Sequence, residues 1–109
     1  MINKTCNSAT FRIWIAGDYQ TAIAACRRFA MRGLCVSVQH VDFVFTMGME
    51  SGVCVTIINY PRFPKPPDEI EATAIKLGDY LCIEMSQGSF SVEGPKVTHW
   101  FSRREQDQT

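Results

Sequence analysis

Thr10–Gly33 reads TFRIWIAGDYQTAIAACRRFAMRG, a change of period from two to three-and-a-half within one segment. Phe11, Ile13 and Ile15 alternate with Arg12, Trp14 and Ala16, the pattern of a strand with one buried face. Gly17-Asp18 then turns the chain, and Asp18 is a good N-cap for a helix carrying Ala22, Ile23, Cys26, Phe29 and Ala30 inward and closed by Gly33. Arg27, Arg28 and Arg32 stand in its later turns, where positive charge complements the helix dipole.

Outward from this strand–helix unit, Leu34–Gln39 reads as a second strand and Asp42–Thr46 as a third or as its continuation after a bulge. The glycine-containing stretch Met47–Gly52 separates Phe43 and Phe45 from Val53–Ile58, which predicts an antiparallel hairpin. Asn59–Pro67 holds four prolines in nine residues and predicts a stiff, extended connector. Asp68 with Glu71 suggests a capping pair for a second helix, whose inner stripe is Ile70, Ala74, Leu77, Leu81 and Met85. Gly78 weakens that helix and is expected to mark a close packing contact. Ser89–Glu93 and Val97–Phe101 read as two last strands.

Strand, helix, two or three strands, helix, two strands predicts an α+β fold of ferredoxin-like split βαβ type with extra strands, an antiparallel sheet covered by two helices. The 109 residues suit a single domain, 1–109, with residues 1–9 and 103–109 expected to be flexible tails. Eleven basic and eleven acidic side chains leave no net field toward duplex nucleic acid or an anionic membrane. Five dispersed cysteines without a C-x-x-C pair point to reduced, mostly buried thiols. With no apolar run of membrane-spanning length and no leader-like N-terminus, a cytoplasmic protein is expected.

His40 and His99 are far apart in sequence, Glu50 lies in a turn, and no nucleophile–base pair, paired carboxylates or metal cluster emerges. The expectation is therefore no catalytic residue, no metal, no cofactor and no enzyme. Gly17-Asp18 lacks a phosphate-binding glycine pattern, and Asp18 would repel a phosphate.

Two stretches remain as candidate ligand-binding residues. On the connector, Arg62, Phe63 and Lys65 display a guanidinium, a ring and an ammonium within four residues, a combination that suits a nucleotide. Asn59 adds an amide able to read a base edge or ribose hydroxyls. The alternative is a connector crossing the sheet edge, with Phe63 over the core and Arg62 solvated. Near the C-terminus, Trp100, Phe101, Arg103 and Arg104 cluster, and one of the adjacent aromatics must face away from the core. Trp100 with Arg103 fits a stacking site or a sheet edge closed by dimerisation.

Ile13–Asp18, Gly33–Val36, Gly48–Val53 and above all Asn59–Pro64 (N-Y-P-R-F-P) resemble a family of small phage-encoded proteins, the Thoeris anti-defence sponges of the first type, over roughly residues 10–102. The resemblance implies a protein that sequesters a cyclic ADP-ribose isomer, and in some members cyclic oligonucleotides, without cleaving it, in pockets between subunits of a homodimer or larger homo-oligomer. Only the N-Y-P-R-F-P positions carry over; Lys65, Trp100 and Arg103 join the pocket by residue type. An oligomeric protein–protein interaction or inhibitor module is the alternative function, and a small nucleotide-acting enzyme a third.

Overall fold

A computed structural model of the chain describes residues 1–108. In chain order the elements are β1 (Thr10–Ala16), α1 (Tyr19–Ala30), β2 (Ser37–Phe45), β3 (Gly48–Ile58), α2 (Pro67–Glu84), β4 (Ser89–Glu93) and β5 (Thr98–Ser102), followed by a 3-10 turn at Glu105–Asp107. The strands lie in the order β2-β3-β1-β4-β5, every neighbouring pair antiparallel. The first four strands and two helices make the ferredoxin-like α+β arrangement, and β5 is the added strand at the β4 edge.

The alternation in β1 sets the two faces. Phe11, Ile13 and Ile15 are buried with Val53, Val55, Ile57, Phe90 and Val92 beneath the helices. α1 contributes Ala22, Ala25, Cys26 and Phe29, and α2 the expected Ile70, Ala74, Leu77 and Leu81, with Met85 buried at its C-cap. Asp18 caps α1 as its sequence implies, Oδ2 accepting from the Thr21 N–H at 2.8 Å and from its hydroxyl at 3.0 Å. At Gly78 a Cβ would stand 2.3 Å from Phe90 Cε2, so glycine here lets helix and sheet touch.

Among the described residues, no helix covers the opposite face of the sheet. Trp14 lies there, its indole N–H donating to Glu93 Oε1 at 2.9 Å and its ring meeting Phe43 edge-on at 6.5 Å. Trp100 is on the same face in register with Ser91, whereas Phe101 turns inward and stacks on Phe90 at 5.1 Å.

Several local expectations are corrected. The segment after α1 is one unbroken strand, Ser37–Phe45, paired residue for residue with β3 and without a bulge. The hairpin turn contracts to Thr46-Met47, with Met47 at φ 66°. Asp68 and Glu71 do not cap α2. Pro66 is its N-cap and Pro67 opens the helix, needing no partner for an absent N–H and bringing a pre-set φ. Asp68 is already inside the first turn, accepting from the Glu69 N–H. The connector is not extended throughout, because Tyr60–Phe63 forms a turn closed by Phe63 N–H donating to the Tyr60 carbonyl at 2.8 Å.

Beyond β5, the Arg103 N–H donates to the Gly88 carbonyl at 2.7 Å and Arg104 pairs with Asp107 at 3.3 Å. Thr109, the end of that segment, lies outside the described residues.

Candidate functional site

β3 ends where the connector begins, and the connector folds back toward the loop that leaves α1. Between them lies a cavity of about 730 Å³. Leu34, Ile57 and Ile70 make an apolar wall, and Cys35, Tyr60, Arg62, Phe63, Lys65 and Thr73 surround it. Ile57 and Ile70 belong to the core, so the wall is continuous with the packed interior.

Asn59 holds this rim together. Its Nδ2 donates to the Asn7 carbonyl at 2.9 Å, and its Oδ1 accepts from the Lys65 N–H at 3.0 Å. Its own N–H donates to the Ala9 carbonyl at 2.8 Å. The amide thus closes the proline-rich loop on itself and ties the segment before β1 to it. The tie places Arg62 and Phe63 at the cavity mouth, where the guanidinium sits 5.4 Å from the Phe63 ring centroid and Phe63 stays largely exposed. Lys65 Nζ approaches Glu69 Oε1 at 3.9 Å, an exposed pair of little energetic weight that leaves the ammonium available at the rim.

Tyr60 donates from its hydroxyl to Cys35 Sγ at 3.4 Å. That hydrogen bond, with partial burial and the thiol's own charge when ionised, pushes the phenol up to about 12. At neutral pH Tyr60 is therefore a proton donor and not a base.

Of the residues singled out from sequence, Asn59, Arg62, Phe63 and Lys65 share this cavity, while Trp100 and Arg103 do not. β5 lies three strands from β3, about 14 Å across the sheet. Trp100 opens onto the uncovered face, and the Arg103 guanidinium pairs with Asp79 of α2. Within one chain the six therefore do not share one cavity, because alternation sends Trp100 to the other side of the sheet. Sequence reasoning missed Leu34, Cys35, Tyr60, Ile70 and Thr73. Tyr60 was inside the distinctive N-Y-P-R-F-P string, but nothing local signals that the loop after α1 approaches it.

Neither histidine lines the cavity. His40 lies 3.5 Å from Asp42 on β2, and His99 lies 3.8 Å from Glu71 while stacked on Phe101 at 5.7 Å. Among the described residues there is no grouping of His, Cys, Asp and Glu able to hold a metal ion, and no helix is long and apolar enough to cross a membrane.

No protein-family model and no curated protein matches the chain. Two solved structures share its fold nearly end to end. A phage SAM lyase in its apo state superposes with a TM-score of 0.71 at 13% identity, over 95% of this chain and 97% of that one. A phage SAM lyase in complex with S-methyl-5'-thioadenosine does so with a TM-score of 0.68 at 13% identity, over 94% and 95%. These structures overturn the expectation of no enzyme, which rested on the lack of a catalytic constellation: the architecture is one on which a lyase is built.

Proposed function

We propose that the cavity binds an adenosine-bearing small molecule and that the chain is an anti-defence enzyme of the SAM lyase type. What carries the reading is a cavity of about 730 Å³ with an apolar wall and a cationic–aromatic mouth, in a fold shared along its length with that lyase. Pockets for ligands of this size fall at ~300–1,000 Å³ and combine apolar walls with a few placed polar groups. Phe63 and the Arg62 plane suit an adenine, Arg62 and Lys65 suit the carboxylate of the amino-acid end, and the Leu34–Ile57–Ile70 wall excludes water.

The chemistry explains why no catalytic constellation is needed. S-methyl-5'-thioadenosine is SAM without its aminobutyrate chain, so a lyase yielding it breaks one carbon–sulfur bond. The electron pair goes to sulfur, which turns from a sulfonium into a neutral thioether and needs no protonation to leave. The carbon left behind is taken up within the substrate by its own carboxylate oxygen, which closes a lactone ring and leaves no proton to be removed. Holding the chain in one conformation away from water is then the main work of the site.

The resemblance to Thoeris sponges supplies a competing ligand, a cyclic ADP-ribose isomer, which shares the adenosine part and adds phosphates for Arg62 and Lys65. The test incubates the protein with SAM and follows S-methyl-5'-thioadenosine by chromatography, beside calorimetric titrations with SAM, S-methyl-5'-thioadenosine and cyclic ADP-ribose isomers. Formation of the thioether product is the expected result. No turnover of SAM and no binding of any of these ligands by folded protein overturns the reading.

A further inference from the structure

Asn59 stands where two chain segments meet. Residues 6–9, just before β1, run beside it, and three contacts join them: the Asn59 N–H donates to the Ala9 carbonyl at 2.8 Å, Nδ2 donates to the Asn7 carbonyl at 2.9 Å, and Cys6 Sγ donates to the Asn59 carbonyl at 3.5 Å. Ala9 anchors this strap in the core at 4% exposure, and Cys6 is half-buried. On its other side, Asn59 Oδ1 accepts from the Lys65 N–H at 3.0 Å. One side-chain amide therefore reaches from the strap to the far end of the loop that follows β3.

That loop has little freedom of its own. Pro61 and Pro64 have fixed φ angles and no N–H to donate. The Phe63 N–H is used inside the loop, on the Tyr60 carbonyl, so the Lys65 N–H on Asn59 Oδ1 is the bond that closes it. A stiff loop held at its two ends moves as one body, and this one carries Tyr60, Arg62 and Phe63 of the cavity rim. None of residues 1–9 lines the cavity, so the strap acts on a bound molecule only by way of Asn59, whose amide nitrogen and oxygen are engaged on opposite segments.

We infer that docking of the 6–9 strap and binding in the cavity are coupled through Asn59, a positioning residue: the strap holds the amide, the amide holds the loop, and the loop presents Arg62 and Phe63. Coupling of this kind is reciprocal, so a ligand that settles against the rim tightens the strap, and loosening the strap weakens the ligand. The identity of the ligand rests on the SAM lyase reading above, whereas the coupling is a property of the loop and can be read without one.

The probe is S-methyl-5'-thioadenosine, and the first measurement needs no variant. Saturating probe should slow alkylation of Cys6 in the wild type severalfold although Cys6 lies outside the cavity, a change that a merely structural Asn59 would not produce. Two variants of the full chain then loosen the strap. Cys6→Asp sets a carboxylate against the Asn59 carbonyl and leaves every cavity residue in place. Asn59→Asp keeps an acceptor for the Lys65 N–H and loses the donor to Asn7. In both, the Asn59 amide should exchange its hydrogen faster, and calorimetry should find the probe bound roughly three- to tenfold more weakly, the effect of about one hydrogen bond. A Cys6 rate indifferent to saturating probe, an Asn59 amide that exchanges no faster in either variant, or wild-type affinity once it does, overturns the inference. Should the wild type bind neither this nucleoside nor SAM, the functional reading falls and amide exchange alone decides the coupling. In Cys6→Asp the Phe63 and Lys65 amides should then exchange faster along with that of Asn59, and faster exchange confined to Asn59 refutes it.

Discussion

Replacing Gly78 by alanine tests how α2 is seated on the sheet. In an exposed helix the change would stabilise by about 1 kcal/mol, the propensity difference between the two residues. Here the new Cβ would meet Phe90 Cε2 at 2.3 Å, Cδ2 at 2.6 Å and Cζ at 3.2 Å. The Phe90 ring has little room to yield, because it is 5% exposed and stacked on Phe101 at 5.1 Å with 27° between planes. Overpacking of this kind costs about 1–3 kcal/mol, so the net loss is about 1 kcal/mol, or about 4–8 °C in the melting temperature of a domain this size. Thermal unfolding followed by circular dichroism measures it. Phe90→Leu should cost less in the Gly78→Ala background than in the wild type, since the smaller side chain relieves the contact; this coupling isolates the pair. A Gly78→Ala protein that melts at or above the wild-type temperature, or a cycle showing no coupling, refutes the reasoning.

Three further outcomes follow from the site and the caps. Arg62→Ala should weaken SAM binding by about 1.5–3 kcal/mol, the range for a hydrogen bond to a charged group, with the melting temperature unchanged and Arg62→Lys recovering only part. S-methyl-5'-thioadenosine, which lacks the carboxylate, should be affected less, and equal losses for the two ligands would remove Arg62 from the carboxylate. Alkylation of the native protein should reach exposed Cys35 and spare Cys26, whose thiol burial pushes up to about 11; a bound cavity ligand should protect Cys35, and mass spectrometry of the modified peptides reads both. Asp18 has its pKa lowered first by the Thr21 backbone N–H and then by the Thr21 hydroxyl, so its capping contribution is present above the ordinary carboxylate value and lost as pH falls through the lowered one. Asp18→Asn, which still accepts from that N–H, should flatten this part of the acid-melting profile, and an unchanged profile would show that Asp18 does not set it.

The order of elements and the inward faces of β1 and α2 were legible from sequence because they rest on local periodicity: two residues in a strand, 3.6 in a helix. Phe11, Ile13 and Ile15, and the stripe from Ile70 to Met85, needed no long-range information to identify. Gly78 was equally readable as a close contact, although its partner Phe90 was not. The N-Y-P-R-F-P stretch could be recognised as unusual, and its prolines as rigid, from composition alone. Its partner in the cavity, the Leu34-Cys35 loop, came into view only when the antiparallel register carried the end of β3 past the end of α1. The same register separated Trp100 and Arg103 from that cavity by putting them across the sheet, a distance that spacing along the chain does not encode. The sequence-based expectation of no enzyme looked for groups that activate a nucleophile or protonate a leaving group, whereas the fold is shared with a lyase, and on the reading proposed above a sulfonium substrate would need neither group. Periodic, nearest-neighbour chemistry is written in the order of residues. Which distant segments enclose one volume is decided by tertiary packing.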